Sequence, residues 1–124
     1  MLNEKSSAPS PVRTIKSREG IIETIVPNRL TEAGLQLAFR DLEKLGGGPV
    51  WLVDCAITDS FETSTVKLAA RVLPEMEKKG LRRLVAILKS PGMRMAARAV
   101  AVASRVEIKV VESRLEAAPL LSLK

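Results

Sequence analysis

Two apolar runs of strand length, separated by an amphipathic segment, constrain the fold of this chain more than any other feature. The runs read PVWLVDCAI, over 49–57, and LRRLVAIL, over 81–88. A continuous apolar run bounded by turn signals is typical of a strand covered on both faces. From about Thr63 to Lys79 the intervening apolar residues share one helical stripe, formed by Val66, Ala69, Ala70, Leu73 and Met76. We therefore expect parallel strands joined by a right-handed crossover helix.

The same alternation continues on both sides of this unit. Thr31 is placed to cap the start of a helix, and the glycines at 46–48 are placed to end it. Ser90 is placed to begin another helix that runs through Ser104. The segments VRTIKS and IIETIVP are strand-like and predict a hairpin around Gly20, and VEIKVV predicts a last strand. The segment SRLEAAPLLSL predicts a helix that closes the chain. The predicted order ββαβαβαβα indicates an α/β fold with a mixed, mostly parallel sheet and packed helices.

The length of 124 residues predicts one domain with one core. Residues 1–11 are polar, small and interrupted by proline, so we expect a flexible N-terminal tail there and the folded domain over 12–124. The N-terminal segment lacks the apolar stretch of a secretory signal, and the lone Cys55 lies in an apolar run where it cannot form an internal disulfide. These features predict a cytoplasmic protein.

Catalytic and cofactor-binding signatures are missing from the sequence. The chain has no histidine and one cysteine, which excludes serine–histidine and cysteine–histidine nucleophiles and zinc sites built from Cys and His. The strings GxGxxG, GxSxG and GxxxxGK[ST] are also missing. We therefore expect a non-enzymatic protein with no cofactor and no metal site.

The composition also argues against nucleic acid as a partner. The aromatic residues are Trp51, Phe39 and Phe61 alone, which is too few for a platform that stacks single-stranded bases. The net charge of +6 comes from basic residues spread along the chain, a pattern typical of a solvated surface.

Acidic residues follow the first apolar strand, at the edge where open α/β sheets bind ligands. Asp54, Asp59 and Glu62 lie there, and paired acids could hold Mg²⁺. The alternative is structural: Asp54 and Asp59 end the strand and shape the turn, while Glu62 favours the positive end of the helix that follows. The sequence leaves both interpretations open and favours the structural one.

The segment VWLVDCAITDSFETSTVKLAARVLPEMEKKGLRRLVAIL, over 50–88, resembles the centre of the STAS (SpoIIAA-like) family. In the anti-sigma factor antagonists of that family, which are bacterial, a strand ending in Asp leads to an Asp-Ser-Ser-Gly-Leu type motif at a helix start. By spacing and chemistry that motif falls on residues 62–66. The resemblance covers about 12–123 and implies a single-domain STAS-like fold that serves as a regulatory protein-interaction module.

The resemblance also implies functional residues. The family's phosphorylated serine corresponds to Thr63, with Ser64 as the neighbouring hydroxyl, and a kinase or anti-sigma-like protein would be the signalling partner. A phosphate there would lie at the positive end of a helix, where free backbone N–H groups can bind it. The alternative is that both hydroxyls cap the helix. Another branch of the family has no established phospho-switch and has been likened in fold to lipid-carrying domains, which implies a small apolar ligand instead.

Two surfaces are candidates for binding. Leu68 and Val72 are four residues apart on a different face of the second helix from the core stripe, and with Asp59 and Glu62 they would form the family's partner surface; the alternative is a wide core-facing face. A homodimer through Leu37 or Leu68 is conceivable.

The second surface is basic. Arg94, Arg98 and Arg105 fall on one edge of the third helix, and Lys89 lies at its start. These side chains could meet an acidic partner, an anion or lipid headgroups, or they could simply face solvent.

Overall fold

The computed structural model describes residues 12–123. Seven strands and four α-helices alternate along this part of the chain, followed by a 3₁₀ turn over Ala118–Leu120. The elements are β1 (Arg13–Lys16), β2 (Ile22–Ile25), β3 (Arg29–Leu30), α1 (Glu32–Lys44), β4 (Val50–Cys55), β5 (Ser60–Phe61), α2 (Ser64–Lys78), β6 (Arg83–Leu88), α3 (Pro91–Val102), β7 (Glu107–Val111) and α4 (Arg114–Ala117). The tail predicted for 1–11 lies outside the described residues.

The central sheet has five strands in the order β1-β2-β4-β6-β7. β1 pairs antiparallel with β2, and every other neighbouring pair is parallel. Gly20 turns the β1–β2 hairpin with a φ of 85°, which glycine adopts without steric cost. The predicted α/β class and mixed, mostly parallel sheet are confirmed.

The two short strands β3 and β5 were not predicted from the sequence. β3 and β5 pair in parallel as a separate two-stranded sheet, with Arg29 opposite Ser60 and Leu30 opposite Phe61. Each strand is two residues long, so neither can show an alternating pattern in the sequence. This small sheet places Phe61 beside the start of α3, because a Cβ added to Gly92 would lie 3.8 Å from Phe61 Cε1.

The main core lies between one face of the five-stranded sheet and α1, α2 and α3. We call this side the helix face. Successive strands step in one direction across the sheet from β2 to β7, which is the order expected when right-handed crossover helices all lie on the same side. Trp51 and Phe39 join the sheet to α1, with ring centroids 5.4 Å apart. The Trp51 indole donates a 2.9 Å hydrogen bond to Thr24 Oγ1, so its one polar atom is satisfied.

The opposite side of the sheet, the second face, carries a smaller apolar cluster. Ala117, Leu120 and Leu121 of the C-terminal segment pack on Val50, Leu52, Val85, Ile87 and Val111. Arg83 helps to hold this segment by donating to the carbonyl oxygens of Leu120 and Ser122 at 2.9 and 3.0 Å. The predicted closing helix is therefore short, and Pro119 lies in its 3₁₀ extension.

The helix ends follow the capping signals in the sequence. Thr31 Oγ1 accepts from Gly34 N at 3.0 Å, and Ser90 Oγ accepts from Met93 N at 3.5 Å. Pro74 lies inside α2, as predicted. None of the helices in the 12–123 region is long and apolar enough to cross a membrane.

Candidate functional site

An apolar cavity of about 120 Å³ lies between α1, α2, α3 and the helix face of the sheet. The helices contribute Leu35, Phe39, Thr65, Val66, Ala69, Leu73, Met93, Ala96, Ala97 and Val100 to its walls, and the strands contribute Leu30, Trp51, Val53, Cys55, Phe61, Leu84, Ala86, Leu88 and Ile108. Its surface is almost wholly apolar, and none of the charged side chains within 12–123 lines it. The cavity can therefore hold an uncharged apolar group.

Small side chains create this space. Ala69 on α2 and Ala96 and Ala97 on α3 line the cavity where larger residues would meet the sheet. As a result, Val53 of β4 and Leu84 of β6 face the helices from central strands and yet are only partly buried. Close packing normally fills such positions. The two central strands are therefore incompletely covered where the cavity lies.

Cys55 lies in the cavity wall and is buried. Burial raises the pKa of the Cys55 thiol to about 12, while a hydrogen bond with Thr58 lowers the pKa and the neighbouring Asp54 raises it. At neutral pH the side chain is therefore a protonated thiol, which is a poor nucleophile. Cys55 behaves here as a small apolar wall residue.

The three acids after β4 do not converge. Asp54 points to the second face, where Oδ1 accepts from Ala56 N at 2.9 Å and Oδ2 accepts from Arg114 Nε at 3.0 Å. Asp59 is exposed, and its backbone N–H donates to Asn28 O. Within 12–123, no group of three or more His, Cys, Asp or Glu side chains is arranged to hold a metal ion. The structural interpretation of Asp54 is the one that the geometry supports.

Glu62 has a different role from the one predicted. We expected its carboxylate to favour the start of α2, but its Oε1 accepts from the backbone N–H of Glu32 at 2.7 Å, in the first turn of α1. Arg29 lies 4.0 Å from its other oxygen. The β3–β5 pairing brings these distant segments together, so the acid interacts with the positive end of α1 instead of its own helix.

Thr63 and Ser64 lie at the start of α2, as predicted. Thr63 is exposed, and its side chain makes no capping hydrogen bond, so the capping interpretation is wrong for this residue. Thr65 Oγ1 donates to Glu62 O at 2.6 Å. The loop before Thr63 also exposes Ile57, whose surface is 68% accessible.

The apolar strip predicted on α2 is not a surface. Leu68 is 4% exposed and belongs to the main core, and Val72 is partly buried against it. Leu37 of α1 is likewise partly buried. The core-facing side of α2 is wider than one stripe because the helix packs against both α1 and α3 and also shares the main core with the sheet. The prediction that Leu68 and Val72 form an exposed docking strip is therefore wrong. A dimer contact through Leu68 is ruled out for the same reason, since its side chain is buried.

The predicted basic edge is only partly formed. Arg94 donates to Leu88 O at 3.1 Å and to Glu112 Oε2 at 2.6 Å, so its charge is matched. α3 ends at Val102, which leaves Arg105 outside the helix. The side chains of Lys89, Arg98 and Arg105 are exposed and have no hydrogen-bond or ion-pair partner among residues 12–123. Three exposed basic groups therefore lie near α3. The prediction that Arg94, Arg98 and Arg105 form one edge of this helix is wrong, because Arg94 is paired and Arg105 lies beyond the helix end.

Comparison with solved structures identifies the fold. The crystal structure of an uncharacterized protein of the DUF3478 family from Shewanella loihica PV-4, described as having a SpoIIAA-like fold, superposes with a TM-score of 0.62. The two sequences are 20% identical, and the alignment covers 90% of this chain and 92% of that one. No family model matches the sequence, and no curated protein matches it. The chain has a SpoIIAA-like fold, as the resemblance implied.

Proposed function

We propose that this chain is a non-enzymatic binding module that holds a small apolar ligand between α1, α2, α3 and the sheet. The observation that carries the proposal is the cavity of about 120 Å³ with its apolar wall. A dry engineered cavity of roughly 150 Å³ binds benzene or xenon, so a space of this size accepts one ring or a short stretch of hydrocarbon chain. A longer ligand would extend out of the cavity mouth.

The wall chemistry specifies the class of ligand. Among the described residues, the polar side chains in the wall are Thr65, Cys55 and Trp51, and the Trp51 indole is bonded to Thr24. Thr65 donates to a backbone oxygen, and the Cys55 thiol is protonated. A charged group in this space would lose its hydration without gaining an ionic partner. The bound part of the ligand is therefore neutral and apolar.

Native mass spectrometry of protein purified from its native cell tests this proposal. The expected result is an added mass that organic extraction releases. Ala97→Leu fills the cavity and should abolish the added mass, whereas Ala99→Leu places the same side chain on the exposed side of α3 and should retain it. An added mass that survives Ala97→Leu would place the ligand elsewhere and refute the proposal.

A second candidate function is protein docking through the loop between β4 and α2, which the STAS resemblance implies. The observation that favours it is the exposure of Ile57, a large apolar side chain, near Asp59 and Thr63. Exposed apolar groups on loops frequently anchor partners. A phosphate on Thr63 would add about −1.5 to −2 charges at the start of α2 and change this docking surface.

Affinity purification with matched variants tests this second function. Ile57→Asp and Thr63→Glu should each reduce recovery of a partner, because one removes the apolar anchor and the other mimics the phosphate. Leu115→Asp is the control, since Leu115 is 85% exposed on α4 in a different part of the chain. Equal recovery with all three variants would rule out docking through this loop.

A further inference from the structure

Helix α3 is apolar on the side that faces solvent. Its exposed positions are Pro91, Gly92, Met95, Arg98, Ala99 and Val102, so Arg98 is the one charged residue among them. Met95 is 69% exposed and Val102 is 89% exposed. A surface helix ordinarily places charged and polar residues on this side. The apolar side of α3 is defined here by Met95, Ala99 and Val102, and we call it the α3 strip.

Core packing does not explain the α3 strip. The inner side of the same helix already packs inward through Met93 and Val100, which are buried, and through Ala96 and Ala97, which line the cavity. Residues 95, 99 and 102 follow the i, i+4, i+7 spacing of a single helical line. α3 is therefore apolar on two opposite sides, and one of them has no partner within 12–123.

Basic groups surround the α3 strip. Lys89 precedes the helix, Arg98 lies beside the strip, and Arg105 follows the helix end; all three are exposed and unpaired among the described residues. From 78 to 106 the sequence contains no Asp or Glu, and its basic residues are Lys78, Lys79, Arg82, Arg83, Lys89, Arg94, Arg98 and Arg105. Part of this charge is matched, because Lys79, Arg83 and Arg94 pair with acids of other segments and Glu77 lines a groove with Val102 and Arg105. The unpaired cations at 89, 98 and 105 leave the surroundings of the strip net positive, which makes them complementary to an anionic surface.

We propose that α3 docks on an anionic lipid bilayer. Met95, Ala99 and Val102 enter the boundary between headgroups and acyl chains, and Lys89, Arg98 and Arg105 contact the negative headgroups. This arrangement matches that of interfacial helices, which pair one apolar side with flanking Lys and Arg. The inference is independent of any ligand in the cavity, since it concerns the outer side of the helix.

Size favours a bilayer over a folded protein as the partner. A 12-residue helix is about 18 Å long, and a stable protein interface buries about 800 Å² on each partner. Two large apolar side chains on one short helix supply little of that area. A bilayer, in contrast, gains from each apolar side chain that enters it and from each basic group at its surface.

Co-sedimentation with lipid vesicles tests the proposal. The full chain should sediment with vesicles of phosphatidylcholine and phosphatidylserine, and weakly or not at all with phosphatidylcholine alone. Raising the salt to about 1 M shortens the Debye length to about 3 Å and should weaken the binding. Met95→Asp and Val102→Asp should each lower the partition coefficient about tenfold or more, as expected when one apolar side chain no longer enters an apolar layer.

Leu115→Asp is the matched control, because it makes the same change at an exposed apolar residue outside α3. It should leave vesicle binding unchanged, and circular dichroism should show that all three variants are folded. The proposal is wrong if the wild-type chain fails to sediment with the anionic vesicles, or if the control loses binding as strongly as Val102→Asp.

Binding to soluble polyglutamate without binding to vesicles would assign the surface to an acidic protein. A dimer in light scattering that Val102→Asp dissociates would assign it to a second copy. Either of these last two results would also overturn the proposal.

Discussion

Arg114 donates from its guanidinium to the carboxylate of Asp54, with Nε 3.0 Å and Nη2 2.7 Å from the same Oδ2. The same Nη2 also pairs with Glu23 of β2. These contacts join the C-terminal segment to the second face of the sheet, at the carboxyl end of its central strand. Asp54, one of three candidate metal-binding acids in the sequence, is therefore a structural anchor.

Removing this anchor should destabilise the fold. In Arg114→Gln, the carboxylates of Asp54 and Glu23 would lie close together without a cation, and both are largely shielded from solvent. Because Arg114 is itself half exposed, we expect a loss of about 1–2 kcal/mol in the free energy of unfolding, below the value for a fully buried pair. Urea unfolding of the wild type and the variant measures this loss in the free energy of unfolding. Arg82→Gln changes an exposed arginine without a side-chain partner within 12–123 and should have almost no effect; an equal loss in both variants would contradict this role for Arg114.

Capping contacts distinguish two threonines that look alike in the sequence. Thr31→Ala should lower the free energy of unfolding by about 1 kcal/mol, because Gly34 N loses its side-chain acceptor. Thr63→Ala should change it by less than about 0.5 kcal/mol, since Thr63 is exposed and makes no capping bond. Chemical denaturation of both variants provides the comparison. Similar losses at the two positions would show that Thr63 caps α2 after all.

Leu68 provides a test of the corrected surface. Leu68→Ala should destabilise the protein by about 2–4 kcal/mol, because the side chain belongs to the main core. Ile57→Ala removes a comparable side chain from an exposed loop and should have little effect on thermal or urea unfolding. If Leu68→Ala left the stability unchanged, the prediction of an exposed strip on α2 would be restored.

Cys55 makes stability depend on pH in the alkaline range. Its pKa is about 12 in the folded protein and 9.0 as an ordinary thiol, so the folded state holds its proton more tightly than the unfolded state does. This contribution is fully present below pH 9 and is lost as the pH rises towards 12. The free energy of unfolding of the wild type should therefore fall more steeply over this range than that of Cys55→Ala. Parallel slopes for the two proteins would contradict a buried, protonated thiol.

The sequence predicted the long elements because their patterns are local. The runs around Trp51 and Val85 became the central strands, and Thr31 and Ser90 marked the starts of α1 and α3. β3 and β5 could not be predicted, since each has two residues and is formed by pairing across 29 to 61. The end of α3 was predicted at Ser104 instead of Val102, and this error aligned Arg105 with Arg94.

The candidate site was harder to predict than the fold. The ion pair between Asp54 and Arg114 joins residues 60 positions apart, so no local spacing indicates it. The buried position of Leu68 depends on how α2 packs against two neighbouring helices, which sets the width of its core side. The cavity has no single-residue signal, because it arises where Ala69 on one helix lies near Ala96 and Ala97 on another. In the sequence, alanines on the core-facing side of a helix cannot be distinguished from ordinary core residues.

Fluorescence of Trp51 tests the central claim most directly, since it is the one tryptophan of the chain and lies in the cavity wall. Iodobenzene, a neutral heavy-atom quencher of suitable size, should quench its emission in a saturable manner. Ala97→Leu should abolish the saturable component, and Ala99→Leu should preserve it. Quenching that rises linearly with concentration in the wild type, as for simple collisions in solution, would contradict an apolar binding cavity.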